Sequence, residues 1–180
     1  MFLQINNGWI ELNMLKTVYV LIGPKGAGKT YIGSTLEKEI GLKFLPVEKL
    51  GLENIKKSKL TGEELIKEGF DQEEAAIDEI LKTHNAVSFE STGVHPYLHN
   101  ILSNLRAKYN VKLIRIYTPL DKCYERIKNR DQSQQLPVSE SLLKQINEAA
   151  VKVSFNWDLE IDNSAKLSTT NLIQAFRSIM

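Results

Sequence analysis

Residues Gly23, Pro24, Lys25, Gly26, Ala27, Gly28, Lys29 and Thr30 satisfy the pattern G-x-x-x-x-G-K-[ST] at every fixed position. The pattern describes an anion site. Glycines at 23, 26 and 28 let the backbone wrap a polyphosphate closely, and the amides opening the next helix point toward it. Lys29 adds a full positive charge suited to the β and γ phosphates, while the Thr30 hydroxyl suits one position on an octahedral Mg²⁺. Tyr31, the next residue, joins the nucleotide-contacting set. The ligand so described is ATP with Mg²⁺, and the chemistry is phosphoryl transfer. Chance places the pattern in under about 1% of chains of this length, before the flanking strand and helix are counted.

Other residues offer chemistry of their own. Glu90 ends the apolar run Ala86-Val87-Ser88-Phe89. An acid closing a buried strand beside the strand of the phosphate loop has the position of a Walker B carboxylate, able to hold a Mg²⁺-bound water or act as a base. Arg126 and Arg130 stand four apart, so on a helix both guanidinium groups leave one face. His95 and His99 are also four apart, but no H-E-x-x-H surrounds them, and they read as surface histidines rather than metal ligands. Cys123 is the single cysteine, which excludes an intramolecular disulfide and any zinc motif of paired cysteines and fits a reducing, cytoplasmic setting. It reads as a small core residue.

These groups need a scaffold. Residues 17–22, Thr-Val-Tyr-Val-Leu-Ile, are apolar on both faces, the signature of a strand buried inside a parallel sheet. Further strands are expected at 43–47, 86–89, 111–117 and 157–161. Helices are expected at 28–40, 71–82, 97–109, 120–130, 140–153 and 169–179. Five strands alternating with helices, with no internal repeat or Pro/Gly/Ser linker, imply one open parallel sheet covered on both faces. One domain spans residues 15–180; residues 1–14, which precede Met14 or include it, are either an upstream-start extension or an extra strand. In such sheets ligands sit beyond the carboxyl ends of the strands.

Composition sets outer bounds. The 180 residues are 42% hydrophobic and 25% charged, enough for one core without disulfide or metal staples. With 23 basic and 22 acidic residues the net charge is +1, so there is no bulk attraction to nucleic acid or anionic membrane. The cluster Lys56-Lys57-Ser58-Lys59 has no interleaved aromatics and reads as a solvated loop. No apolar run reaches the roughly 18 residues needed to span a bilayer.

With the loop and the element order in view, the chain from Leu15 onward resembles the phosphate-loop small-molecule and nucleotide kinases, in particular the shikimate-kinase-like and gluconate-kinase-like group. The resemblance implies a three-layer α/β/α fold with a five-stranded parallel sheet in the order 2-3-1-4-5 and a lid helix segment. By the same resemblance, Arg126 flanks the nucleotide base and Arg130 reaches the transferring phosphate. Phe44-Leu45-Pro46-Val47-Glu48 lies where shikimate kinases carry F-x-D-x-D. Only the last acid is kept, as Glu48, which could orient or deprotonate an acceptor hydroxyl. Ser91-Thr92-Gly93 matches part of the family's T-G-G stretch. Asn163, in Ile161-Asp162-Asn163-Ser164, lies where related kinases wrap the adenine edge; a plain Asx turn explains the same residues.

The acceptor is unlike shikimate. Where those kinases place F-R to grip a carboxylate, Phe70 is followed by Asp71, and the acid-rich stretch from Glu63 to Glu79 opposes a strongly anionic acceptor. GTP-binding switches are disfavoured because neither N-K-x-D nor D-x-x-G occurs. Three functions remain open: a kinase for a small hydroxylated metabolite or nucleotide, a nucleotide-dependent switch or slow ATPase serving a protein partner, and a polynucleotide-end kinase, which the neutral charge disfavours.

Overall fold

The apolar run at 17–22 lies at the centre of the molecule. In the computed structural model of the chain, which describes residues 16–130, 138–165 and 167–180 and the backbone of 2–5 and 8–11, it forms β3 (Thr17–Ile22). β3 pairs in parallel with β5 (Ala86–Ser91) on one side and β6 (Asn110–Tyr117) on the other. β4 (Lys43–Leu45) flanks β5 and β7 (Leu159–Asp162) flanks β6, both in parallel. The order β4-β5-β3-β6-β7 is the expected 2-3-1-4-5. β1 (Phe2–Ile5) and β2 (Gly8–Glu11) form a separate antiparallel pair. The remainder of the stretch ahead of Lys16, including Met14 and the alternative start it suggests, lies outside the described residues.

Alternation along β3 explains the three layers. Val18, Val20 and Ile22 face one side and pack with Ile77 and Leu81 of α3 (Gly62–Thr83) and with Leu98, Leu102 and Leu105 of α4 (Tyr97–Lys108). Tyr19 and Leu21 face the other side. They pack with Ile32 and Leu36 of α1 (Lys29–Ile40), Cys123 of α5 (Leu120–Lys128) and Phe176 of α7 (Thr169–Arg177). Burying each such side chain contributes about 1.5–3 kcal/mol, so the two faces together clamp β3 between helical layers. Cys123 is fully buried, and burial raises its thiol pKa, which makes it a core residue as expected.

Differences from the sequence reading concentrate before residue 71. β4 ends at Leu45 rather than at 47, because Pro46 has no amide for the ladder and Val47 opens α2 (Val47–Lys57). No helix is expected between 47 and 70, yet α2 and the first turns of α3 fill that stretch. Gly51, Gly62 and Gly69 weaken its helical propensity, and packing of Val47, Leu50 and Phe70 against the core overrides them. The basic cluster is no loop at its start: Lys56 and Lys57 form the last turn of α2, against the negative end of its dipole. α5 stops at Lys128, so of the two arginines expected on the lid helix Arg126 stands on it and Arg130 lies beyond its end; residues 131–137, which follow, lie outside the described residues. α6 (Glu140–Ala150) follows. The loop at 23–30 follows the end of β3, and Glu90 lies near the end of β5 beside it. Register puts Glu90 beside Leu21, one residue before β3 passes into the phosphate loop.

Candidate active site

The loop at residues 23–30 joins β3 to α1, and none of its three glycines, Gly23, Gly26 and Gly28, has room for a Cβ. A Cβ on Gly23 would lie 2.3 Å from the carbonyl oxygen of Ile116. Gly28 has φ +94°, and a Cβ there would lie 2.3 Å from Nδ2 of Asn163. Gly28 is also the N-cap of α1, where no side chain caps the helix. The first-turn amides of α1 therefore keep the unsatisfied donors that draw an anion.

Lys29 is buried, and its Nζ donates to the carbonyl oxygens of Gly23 at 2.7 Å and Pro24 at 2.9 Å. Burial pushes its pKa down to about 8, with the Glu90 carboxylate opposing the shift. The loop is also held from outside. Asn147 of α6, fully buried, accepts a hydrogen bond from the Lys25 amide at 2.8 Å and donates to the Lys25 carbonyl at 3.1 Å. The Lys25 ammonium pairs with the carboxylate of Glu48, in the first turn of α2.

Thr30 donates from its hydroxyl to Oε2 of Glu90 at 2.8 Å. Glu90 is 6% exposed, and among the described residues its Oε1 has no hydrogen-bond partner. Burial raises its carboxyl pKa, against the lowering effects of Lys29 and of the Thr30 hydrogen bond. A buried carboxylate oxygen without a partner beside a hydroxyl, at the foot of the loop, is a hard oxygen donor set that fits Mg²⁺. Among the described residues no group of three or more His, Cys, Asp or Glu side chains is arranged to hold a metal by itself, so such an ion would depend on phosphate and water for its remaining ligands.

Two cavities open on either side of the loop. One, of about 520 Å³, is lined by Gly28, Tyr31, Arg126, Arg130 and Asn163 among others. Arg126 donates to the carbonyl of Asn163 at 2.8 Å, and Asn163 Nδ2 donates to the Ala27 carbonyl at 2.7 Å. Asn163 is buried and braces the loop; the Asx turn at this point belongs to Asp162, which accepts from the Ser164 amide at 2.8 Å. The other cavity, of about 320 Å³, runs from the loop between α2 and α3. Its walls include Val47, Ile55, Leu65 and Phe70, and its acids are Glu48, Glu73 and Glu90. Burial, with Glu90 adding to it, pushes the Glu73 carboxyl up to about 8.

Glu48, Glu90, Tyr31, Arg126, Arg130 and Asn163 thus lie around the loop, although Glu48 stands on a helix and Arg130 beyond the end of α5 rather than on one helix face with Arg126. Sequence reasoning missed Asn147 and Glu73. Neither carries a motif: each is a polar residue on an amphipathic helix, distinguishable from its neighbours only once the helix is packed. His95 is stacked on Tyr97, with ring centroids 5.1 Å apart, and lies 5.1 Å from Phe70. His99 is exposed against Phe155.

No protein-family model matches the sequence, and no curated protein matches it either. Solved structures do. A sugar kinase from a Janibacter species is similar with a TM-score of 0.64 at 17% identity, over 91% of this chain and 93% of its own. The shikimate kinase of Acinetobacter baumannii, in complex with shikimate, has a TM-score of 0.59 at 20% identity, over 91% and 94%. A gluconokinase from Sinorhizobium meliloti has a TM-score of 0.56 at 15% identity, over 91% and 90%. The chain has the α/β fold of the phosphate-loop kinases, shared with their shikimate-kinase-like and gluconate-kinase-like members.

Proposed function

We propose that the protein transfers the γ-phosphoryl group of ATP to a hydroxyl of a small molecule held between the loop, α2 and α3. One observation carries the reading: Gly28 and Arg130 line both cavities, so a triphosphate on the loop would have its base on one side and its terminal phosphate on the other. The kinase fold of the solved neighbours supports it.

In this reading Arg126, Tyr31 and Asn163 border the base, and the loop amides and Lys29 hold the β and γ phosphates. Lys29 exchanges its two loop carbonyls for phosphate oxygens, which restores the full charge of an ammonium that burial weakens. Thr30 and Glu90 would hold Mg²⁺, which when bound supplies charge neutralisation to the β and γ phosphates. The acceptor oxygen bonds to the γ phosphorus as the bond from that phosphorus to the β–γ bridging oxygen breaks, leaving ADP. The hydroxyl proton passes to a cavity carboxylate, Glu48 or Glu90, and Arg130 balances charge on the transferring group.

Lys29→Ala is the direct test. ADP formation with a competent acceptor should fall by about 100-fold or more while the far-ultraviolet circular dichroism is unchanged. Full turnover in that variant would rule the reading out. Stimulation of ATP consumption by a protein and by no small hydroxyl compound would replace it with a partner-reporting switch.

A further inference from the structure

The cavity between α2 and α3 has a composition that selects its occupant. Along α3, Leu65, Gly69 and Glu73 recur at four-residue spacing and so share one face, and Val47, Gly51 and Ile55 do the same on α2. The two helices thus bring apolar walls and a carboxylate to one space. Gly69 enlarges it: a Cβ there would meet nothing closer than Nδ2 of Asn54, at 4.0 Å.

The charges lining this space are unequal in what they leave over. Lys25 is paired with Glu48, and Lys29 is turned onto two loop carbonyls. Arg130 stands on the wall shared with the base cavity. On the α3 side, Lys67 is paired with Asp71 and Lys82 with Glu79, both on exposed faces. Glu73 has neither an ion pair nor a hydrogen bond among the described residues, and the buried Oε1 of Glu90 also lacks a partner. A half-buried carboxyl in an apolar space is costly unless something pairs with it. No cation of the described protein does so.

We infer that the acceptor is an alcohol with an apolar body and a protonated amine, the amine paired with Glu73 and the body between Val47, Ile55, Leu65 and Phe70. This rests on the phosphoryl-transfer reading for the role of the hydroxyl, and on the cavity alone for the amine and the body. An anionic acceptor would find no counter-charge at Glu73 and would hold its carboxyl protonated, whereas an ammonium favours the charged carboxylate, pairs with it, and lies attractively toward phosphates on the loop.

Three ligands matched in shape separate the possibilities: 4-(hydroxymethyl)benzylamine, 4-methylbenzyl alcohol and 4-(hydroxymethyl)benzoate. Each is titrated calorimetrically into the full chain with Mg²⁺ and a nonhydrolysable ATP analogue present. The amine should bind about tenfold more tightly than the neutral alcohol, and the benzoate most weakly. In Glu73→Gln the amine should lose that advantage while the neutral alcohol keeps its affinity within about twofold, which a merely structural role for Glu73 would not produce. The wild-type ranking decides the matter even if the variant does not fold. The inference is overturned if the benzoate binds as well as the amine, if Glu73→Gln retains the preference, or if none of the three binds at millimolar concentration. Amine-selective binding without ADP formation from ATP would sustain this inference and defeat the phosphoryl-transfer reading instead.

Discussion

Thr30 donates to Oε2 of Glu90 at 2.8 Å, joining the first turn of α1 to the end of β5 across the adjoining strand β3. The bond aims one carboxylate oxygen, and the other has no hydrogen-bond partner among the described residues, which is where the proposed Mg²⁺ would sit. Glu90→Gln keeps a side chain of the same shape but removes the charge. In wild type, Mg²⁺ should tighten ATP binding, and in Glu90→Gln that gain should shrink by about tenfold or more. Calorimetry in Mg²⁺ and again in excess EDTA reads the difference; an undiminished gain would remove Glu90 from the metal site.

Asn147 grips both the amide and the carbonyl of Lys25 from a fully buried position. Asn147→Ala leaves two backbone groups without partners, at a cost of about 2 kcal/mol. The melting temperature should fall by roughly 4–8 °C for a chain of this size, and nucleotide affinity should fall with it as the loop loosens. A variant as stable as wild type would show that the clamp contributes nothing.

Glu73 gives the fold a pH signature. Its carboxyl is raised from 4.5 to about 8 in the folded chain, so the folded state binds more protons than the unfolded state between those values. Stability attached to this group is full below pH 4.5 and declines as pH rises toward 8. Glu73→Gln, permanently neutral, should match wild type near pH 4.5 and exceed its melting temperature by about 4 °C or more at pH 8. Thermal denaturation at both pH values checks the sign; equal differences at the two would contradict it.

Gly69 lies inside the 22-residue helix α3, where glycine costs about 1 kcal/mol against alanine. Nothing but Asn54 comes near the position a Cβ would take. Gly69→Leu should therefore raise stability or leave it unchanged, fill part of the cavity of about 320 Å³, and abolish acceptor-dependent ADP formation with ATP affinity within about twofold of wild type. Retained turnover would move the acceptor elsewhere.

The parts legible beforehand were those in which one residue type has few structural options. β3 runs over Thr17–Ile22 as expected, because a strand apolar on both faces has to be covered on both. The loop motif lies where strand passes into helix. Illegible were α2 and the first turns of α3, where Gly51, Gly62 and Gly69 give a poor local signal that packing overrules. Illegible too was Asn147, separated by 122 residues from the loop it clamps. Long-range pairing of a polar side chain with backbone leaves no periodic trace in a sequence.

The carbonyl of Ala27 accepts from Asn163 at 2.7 Å, and Arg126, which donates to Asn163, reaches toward the same oxygen at 3.5 Å. A single peptide unit is thus the hinge pin on which the base end and the phosphate end of a nucleotide would both bear. A ligand that draws Arg126 away would slacken the tether on this turn, and tripolyphosphate, which has no base to engage that arginine, would meet the turn at its tightest.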